Sequence, residues 1–181
     1  MNNNRSTTKS LCMRKQYVLT IIGNDKSGLV DSLAKVVKEY DGNWLESRMA
    51  NLAGKFSGIV LVSINAEKGD AFEVAVGDLQ TETGLSVRAT AIEDIPKEGC
   101  HTQSLTLVAN DRPGILSELT SILATLGINV EELATDCSPA PMSSHVLFNA
   151  KAKISIPDNL TTDQVRAELE TLADDLMVEI N

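Results

Sequence analysis

The sequence predicts an α+β protein built from two copies of one β-α-β-β-α-β unit. Three observations favour this class: an internal repeat at an offset of 86 residues, strand and helix periodicities in the same order in both halves, and an aliphatic composition. Of the 181 residues, 43% are hydrophobic but only 3% are aromatic. We therefore expect cores of Leu, Ile, Val and Ala, in a chain whose length suits one ordinary domain or two small ones.

The internal repeat aligns residues 19–46 with residues 105–132 without a gap, and eight of the 28 positions are identical. Each copy is long enough to enclose its own core, so the repeated unit is a domain rather than one turn of a solenoid. The predicted organisation is a flexible basic tail at 1–16, a first domain at 17–93, a linker at 94–102 and a second domain at 103–181.

Periodicity predicts the elements of the first copy. An apolar, β-prone segment predicts the first strand, and apolar residues from Leu29 to Tyr40 then recur at helical spacing until Asp41-Gly42 ends the helix. Ala53-Gly54-Lys55 is a plausible hairpin turn between the next two strands. The predicted strands are 17–22, 44–52, 56–64 and 85–92, and the helices are 29–40 and a second one around 72–79.

The second copy repeats this order with a longer hairpin loop at 138–144. That loop contains Pro139 and Pro141, which cannot lie in a central ladder. Thr162 is a suitable N-cap for the last helix. The predicted strands are 104–109, 129–136, 145–156 and 176–180, and the helices are 115–126 and 162–174.

This element order is that of the ferredoxin-like, split βαβ plan. Its antiparallel sheet carries helices on one face only, so the other face must be solvated or covered. Open sheet edges favour association. We therefore expect the two sheets to pair with each other or with those of a second chain, and we expect a homodimer.

The charge of the chain excludes some classes of partner. Sixteen basic and 25 acidic residues give a net charge of −9, distributed as +4 over 1–16, −5 over 17–95 and −8 over 96–181. Affinity for nucleic acid comes largely from Lys and Arg, so an acidic body predicts no direct binding to it. No apolar segment approaches the roughly 18 residues that a membrane helix needs, and the tail lacks the apolar core of a secretory signal. We expect a cytoplasmic protein without a membrane partner.

Three cysteines and two histidines limit the catalytic and metal chemistry. Because Cys12, Cys100 and Cys137 are odd in number, they cannot form a complete disulfide framework. Together with His101 and His145, the last two match no zinc-ligand spacing. No recognisable triad or metal motif is present. We predict no enzymatic activity, no cofactor and no metal.

Both copies carry the same loop pattern after the first strand, Asn-Asp-Lys-Ser-Gly at 24–28 and Asn-Asp-Arg-Pro-Gly at 110–114. Asp25 or Ser27, and Asp111, are candidates to cap the following helix, and Pro113 suits a first helical position. The final glycine of each loop lets another group approach the backbone.

These loops fit a small zwitterion such as an amino acid. A helix N-terminus attracts a carboxylate, and the amide oxygens of Asn24 and Asn110, or of Asn43 and Asn129, can accept hydrogen bonds from an amino group. The same pattern is equally typical of a plain strand-to-helix turn, and this alternative stays open.

The pattern Asn-Asp-x-x-Gly-[Leu/Ile] between a strand and an amphipathic helix, with Gly-x-Asn at the helix exit, resembles the ACT domain. That fold is a ferredoxin-like regulatory module that commonly senses amino acids. The resemblance covers nearly all of 17–181 as two tandem ACT domains with no catalytic domain attached. Segments 19–30, 109–116 and 139–143 make the chain most similar to the glycine cleavage system transcriptional repressor family.

The resemblance implies a ligand site where the loop after the first strand meets a neighbouring ACT domain. Ser27 stands where the second copy has Pro113, so the first loop is expected to be looser and the two sites to differ in occupancy. The implied ligand-binding residues are Asn24, Asp25, Gly28, Asn110, Asp111 and Gly114, with Asn43 and Asn129 nearby.

The resemblance also implies a regulator that does not touch DNA. Such a protein binds a DNA-binding activator protein and blocks it, with glycine as the modulating ligand. The alternative is a regulatory subunit of an amino-acid metabolic enzyme, which is another use of ACT modules. Pro139, Pro141 and Met142 are candidates for a partner or dimer contact, and a tolerated hairpin insertion is an equal alternative.

Overall fold

The structure is a computed structural model, and it describes residues 13–92, 99–140, 145–172 and 176–181. The chain divides into two compact units, residues 1–95 and 96–181. Most of the predicted tail and linker, the candidate contact residues Pro141 and Met142, and the predicted end of the last helix lie outside the described residues.

The first unit is a four-stranded antiparallel sheet in the order β2-β3-β1-β4, with two helices and a short 3₁₀ turn at Ala66–Lys68. Its elements are β1 Arg14–Asn24, α1 Leu29–Glu39, β2 Asn43–Leu52, β3 Lys55–Asn65, α2 Gly69–Thr83 and β4 Ser86–Ile92.

The second unit repeats this sheet in the order β6-β7-β5-β8. The elements of the second unit are β5 Cys100–Asn110, α3 Ile115–Thr125, β6 Asn129–Pro139, β7 Val146–Pro157, α4 Thr162–Glu170 and β8 Met177–Ile180. The α+β class and the β-α-β-β-α-β order predicted for both copies are confirmed.

Both sheets have an irregularity in strand register at equivalent positions of the repeat. The register of β2 against β3 shifts between Trp44 and Glu46, and that of β6 against β7 shifts between Val130 and Glu132. These positions are related by the same offset of 86 residues. A bulge places one extra residue in the strand and increases its local twist, so both copies bend their edge strand at the same point.

The two cores differ in composition. In the first unit, fully buried Tyr17 packs edge-to-face against Phe72, with ring centroids 5.6 Å apart, and Tyr40 meets the same ring at 5.9 Å. In the second unit Phe148 is the one aromatic residue in the core cluster, and the rest of that cluster is aliphatic. Both cores are mainly aliphatic, as predicted, and the first adds the two buried aromatic residues Tyr17 and Phe72 where the second has Phe148 alone.

Two predicted boundaries are wrong because strand pairing extends past the apolar segments. β1 begins at Arg14, which pairs with Asn65 and donates hydrogen bonds from its guanidinium to the carbonyl oxygens of Ser63 and Asp41. The tail therefore ends before residue 14. Likewise β5 begins at Cys100, so the last three residues of the predicted linker pair with β7.

Candidate functional site

The predicted site lies on two loops, and we call residues 24–28 the first loop and residues 110–114 the second loop. The loops lead to α1 and α3, and the N-caps of these helices are Gly28 and Gly114. Their φ angles are 90° and 91°, a conformation that strains residues with a Cβ atom. Neither N-cap has a side chain, so no N-cap side chain accepts from the first-turn N–H groups. At α3 the N–H of Ile115 donates to the carbonyl oxygen of Arg112 at 3.4 Å.

The predicted capping residues are wrong, because the N-caps are the glycines that end the two loops. Asp25, Ser27 and Asp111 precede the N-cap glycines, and no side-chain capping hydrogen bond forms at either helix. Pro113 also precedes its N-cap instead of taking the first helical position, which belongs to Ile115.

In the first unit, the loop is fastened to the tip of the β2–β3 hairpin. The backbone N–H of Asp25 donates to the carbonyl oxygen of Gly54 at 3.0 Å, and Asn51 Nδ2 donates to Asp25 Oδ2. Lys55 Nζ donates to Asn24 Oδ1 at 2.5 Å. The amide oxygen of Asn24, predicted to receive a ligand's amino group, already accepts a hydrogen bond from within the chain.

The second unit fastens its loop in the same way with different chemistry. The backbone N–H of Asp111 donates to the carbonyl oxygen of Val146 at 2.8 Å. The exposed thiol of Cys137 lies close enough to the Asp111 carboxylate to be influenced by its charge. Desolvation, followed by the charges of Asp111 and Asp136, raises the pKa of Cys137 above its ordinary value. The thiol therefore stays protonated and able to donate near neutral pH.

The two hairpin residues Asn51 and Cys137 were not among the predicted site residues. They stand 86 positions apart, as the repeat requires, but they differ in type and lie beyond the stretch of residues aligned by identity. Each faces the aspartate of its loop, so the aspartates hold the loop to the hairpin. The repeat offset applied to the hairpins was the signal that could have found them.

Asn43 and Asn129 lie far from the loops of their own units, against the expectation that they are nearby. Asn43 pairs with Ser63, whereas Asn24 pairs with Lys55, eight residues away along β3. At about 3.4 Å per residue this separation is about 27 Å. The second unit has the same arrangement, with Asn129 and Asn110 at opposite ends of their sheet. Within one unit, these asparagines cannot contact a ligand held by the loop.

A groove of about 330 Å³ lies beside the first loop. A Cβ atom added at Gly28 would meet no other atom within 4 Å, so the backbone faces open space there. Lys26 lines the groove and is exposed, and among the described residues it forms no ion pair. The groove combines a cation, acidic side chains and an apolar wall; its lining is Asp25, Lys26, Gly28, Leu29, Val30, Asp31 and Phe56.

The second loop carries an internal ion pair at the corresponding place. Arg112 Nη1 and Nη2 donate to Glu118 Oε1 and Oε2 at 2.7 and 2.6 Å. Glu118 Oε1 lies 3.7 Å from the position that a Cβ atom on Gly114 would take. The guanidinium holds the pKa of Glu118 below its ordinary value. An ionised carboxylate therefore stands beside the start of α3.

Cys100 and His101 lie at the end of β5 opposite to the second loop, and Cys12 lies outside the described residues. His101 Nδ1 is 3.5 Å from Asp158 Oδ1 near the start of β5, and the neighbouring Cys100 is exposed. Within the described ranges, no group of three or more His, Cys, Asp and Glu side chains could hold a metal ion. A search of the same residues finds no helix with the length and apolar character needed to cross a membrane.

Comparison with known families identifies both units. ACT-domain family models match residues 15–90 and residues 104–174. The chain therefore belongs to the ACT-domain family and carries two tandem ACT domains, which are regulatory modules.

Two solved structures share this two-domain arrangement over 93% of the chain. A protein of unknown function from Galdieria sulphuraria is 27% identical, with a TM-score of 0.81 and 98% of its own length covered. A protein provisionally described as a glycine cleavage system transcriptional repressor is 18% identical, with a TM-score of 0.69 and 97% covered. The second likeness is one of fold. No curated protein matches the sequence significantly.

Proposed function

We propose that this protein is a non-catalytic, amino-acid-sensing regulator that represses transcription by binding a DNA-binding activator protein in glycine cleavage and one-carbon metabolism. The observation that carries the proposal is the groove beside the first loop of an ACT domain. There, an open helix N-terminus and a lysine that forms no ion pair with any described residue lie next to acidic side chains.

The groove has the charges that a zwitterion needs. Lys26 and the N–H groups of the first turn of α1 suit a carboxylate, because the helix N-terminus is partially positive. The carboxylates of Asp25 and Asp31 line the same groove and suit an ammonium group. Val30 and Phe56 add an apolar wall, which leaves room for a small aliphatic side chain and also admits glycine.

The structure changes the proposed roles of the predicted residues. Gly28 supplies the open backbone, and Asp25 orders the loop through Asn51 while presenting its carboxylate at the groove. Asn24 orders the loop through Lys55. The corresponding residues of the second loop are Asn110, Asp111 and Gly114.

Titration calorimetry with glycine, and then with each other genetically encoded amino acid, tests the sensing half of the proposal. We expect saturable binding that weakens about ten- to hundredfold in Lys26→Ala, because a charge-assisted hydrogen bond contributes about 1.5–3 kcal/mol. Lys38→Ala is the matched control, since it removes the same charge from an exposed position in the last turn of α1. No heat with any amino acid, or an equal loss in both variants, would contradict the proposal.

The repressor half is supported by the charge of the chain and by its fold. Residues 17–181 carry −13, which disfavours contact with DNA and suits a basic protein surface. The fold likeness to the provisionally described repressor agrees with this role. Affinity purification of the tagged full chain from its native cells, with and without glycine, tests it. A DNA-binding protein as the stable partner supports repression, whereas an amino-acid metabolic enzyme supports the regulatory-subunit alternative.

A further inference from the structure

We propose that only the first loop binds a free amino acid, because the carboxylate of Glu118 already pairs with the cation of the second loop. This inference rests on the proposed function and concerns the occupancy of the same kind of site. It assigns Glu118 the role of a permanent internal ligand, which makes the second ACT domain silent towards amino acids.

The geometry of the second loop supports this role. Glu118 belongs to the first turn of α3, and both of its oxygens accept hydrogen bonds from Arg112. One of these oxygens stands 3.7 Å from the position that a Cβ atom on Gly114 would take. The cation of the loop is thus already paired with a carboxylate of its own domain.

The first loop has the opposite arrangement at the equivalent positions. Lys26 corresponds to Arg112, and Ser32 corresponds to Glu118. The hydroxyl of Ser32 donates to the carbonyl oxygen of Gly28 at 3.1 Å and brings no charge. Asp31, the acidic residue of this first turn, is paired at 2.7 Å with Lys35, one turn further along α1. Lys26 therefore keeps its charge available to a ligand.

Charge repulsion disfavours the presence of both Glu118 and a ligand carboxylate beside Arg112. A ligand carboxylate at the second loop would have to displace Glu118 from Arg112 or lie beside another negative charge, and like charges at close range are unfavourable. At the first loop the corresponding side chain is a serine, and the acidic residue of that turn, Asp31, is paired with Lys35 instead of Lys26. The expected stoichiometry is one amino acid per chain.

A reciprocal exchange of the two residues tests the inference. Titration calorimetry with glycine is run on the wild type, Ser32→Glu, Glu118→Ser and the double variant. If glycine produces no heat with the wild type, the amino acid that gives the strongest response in the screen replaces it. We expect one site per chain in the wild type, at least about a tenfold loss of affinity in Ser32→Glu, two sites in Glu118→Ser, and one site in the double variant.

Controls keep the result interpretable. Ala34→Glu adds the same charge to another exposed position of α1 and should leave the affinity unchanged. Glu118→Gln preserves the size of the side chain and should also open the second site if Glu118→Ser fails to fold. Two sites in the wild type, or one site in both Glu118 variants, overturn the inference while the proposed sensing function stands. Absence of binding by every variant overturns the proposed function and this inference together.

Discussion

Asp25 and Asp111 stand at equivalent positions of the repeat but have different partners in their hairpins. Asn51 donates a hydrogen bond to the carboxylate of Asp25, whereas the thiol of Cys137 lies near the carboxylate of Asp111. The aspartates also tie their backbone N–H groups to the hairpins of their sheets. At the scale of single residues, they order the loops, whereas the neighbouring side chains decide what the loops can bind.

Tyr17 is a second residue whose surroundings give it a specific role. It is fully buried, and its hydroxyl has no hydrogen-bond partner among the described residues. A Cβ atom added at Gly69, the first residue of α2, would collide with that hydroxyl. Glycine at position 69 thus provides the space that the tyrosine ring needs.

We expect Gly69→Ala to destabilise the first domain by about 1–3 kcal/mol, because overpacking a buried contact displaces a ring that cannot move into solvent. Tyr17→Phe should be neutral or stabilising, since it removes a buried hydroxyl that lacks a partner. In the double variant the cost of Gly69→Ala should shrink. Urea denaturation of the four proteins measures this coupling, and equal costs in both backgrounds would refute the contact.

The helices begin in two different ways. At α4, Thr161 is the N-cap, its hydroxyl accepts from the Gln164 backbone N–H at 3.3 Å, and the Gln164 side chain accepts from the Thr161 backbone N–H at 2.9 Å. This capping box closes the helix start with its own side chains. α1 and α3 start at glycines without a cap. α2 also lacks a side-chain cap, so the feature that distinguishes the two helices after the candidate loops is the glycine at the N-cap.

The N-cap of α4 is one residue earlier than the predicted Thr162. Thr161→Ala should therefore lower the free energy of unfolding by about 1 kcal/mol. Thr162→Ala is the matched control at the adjacent position and should cost much less. Thermal or urea denaturation checks this, and the reverse order of costs would favour the original prediction. Neither change should affect amino-acid binding, because neither residue lies in a loop.

At the scale of the whole molecule, the sheet face of the first unit that faces away from its buried core carries apolar side chains. Val18 and Leu61 are opposite each other in the register, and Ile59 lies opposite Thr20. They alternate along the strands with core residues, and Ile22 and Ile59 are 55% and 51% exposed. Exposed apolar patches of this kind commonly mark interaction surfaces. A substitution on this face therefore tests the expected homodimer.

If this face supports a homodimer, Ile59→Lys should convert the protein to a monomer, because a buried unpaired charge is strongly unfavourable. Sedimentation velocity measures the change. Val74→Lys is the control, since it places the same charge on an exposed apolar residue of α2. A dimer that survives Ile59→Lys excludes this face from the interface, and a wild-type monomer excludes the homodimer itself.

The sequence by itself determined the repeat, the order of the elements and the positions of both loops. These features depend on local periodicity and on glycines at turn positions, which a chain displays without reference to distant residues. The sequence did not predict that β1 starts at Arg14 and β5 at Cys100. These first residues are in the strands because they pair with β3 and β7, and not because they are apolar.

Only the tertiary structure decided which side chains meet at the loops. Strand register placed Asn51 and Cys137 against the loop aspartates and placed Asn43 and Asn129 at the far ends of their sheets. The pairing of Glu118 with Arg112 and the open groove beside Lys26 also became visible only in three dimensions. The physical reason is that hydrogen bonds and ion pairs depend on distances in space, and separation along the chain does not reveal these distances until the sheets have formed.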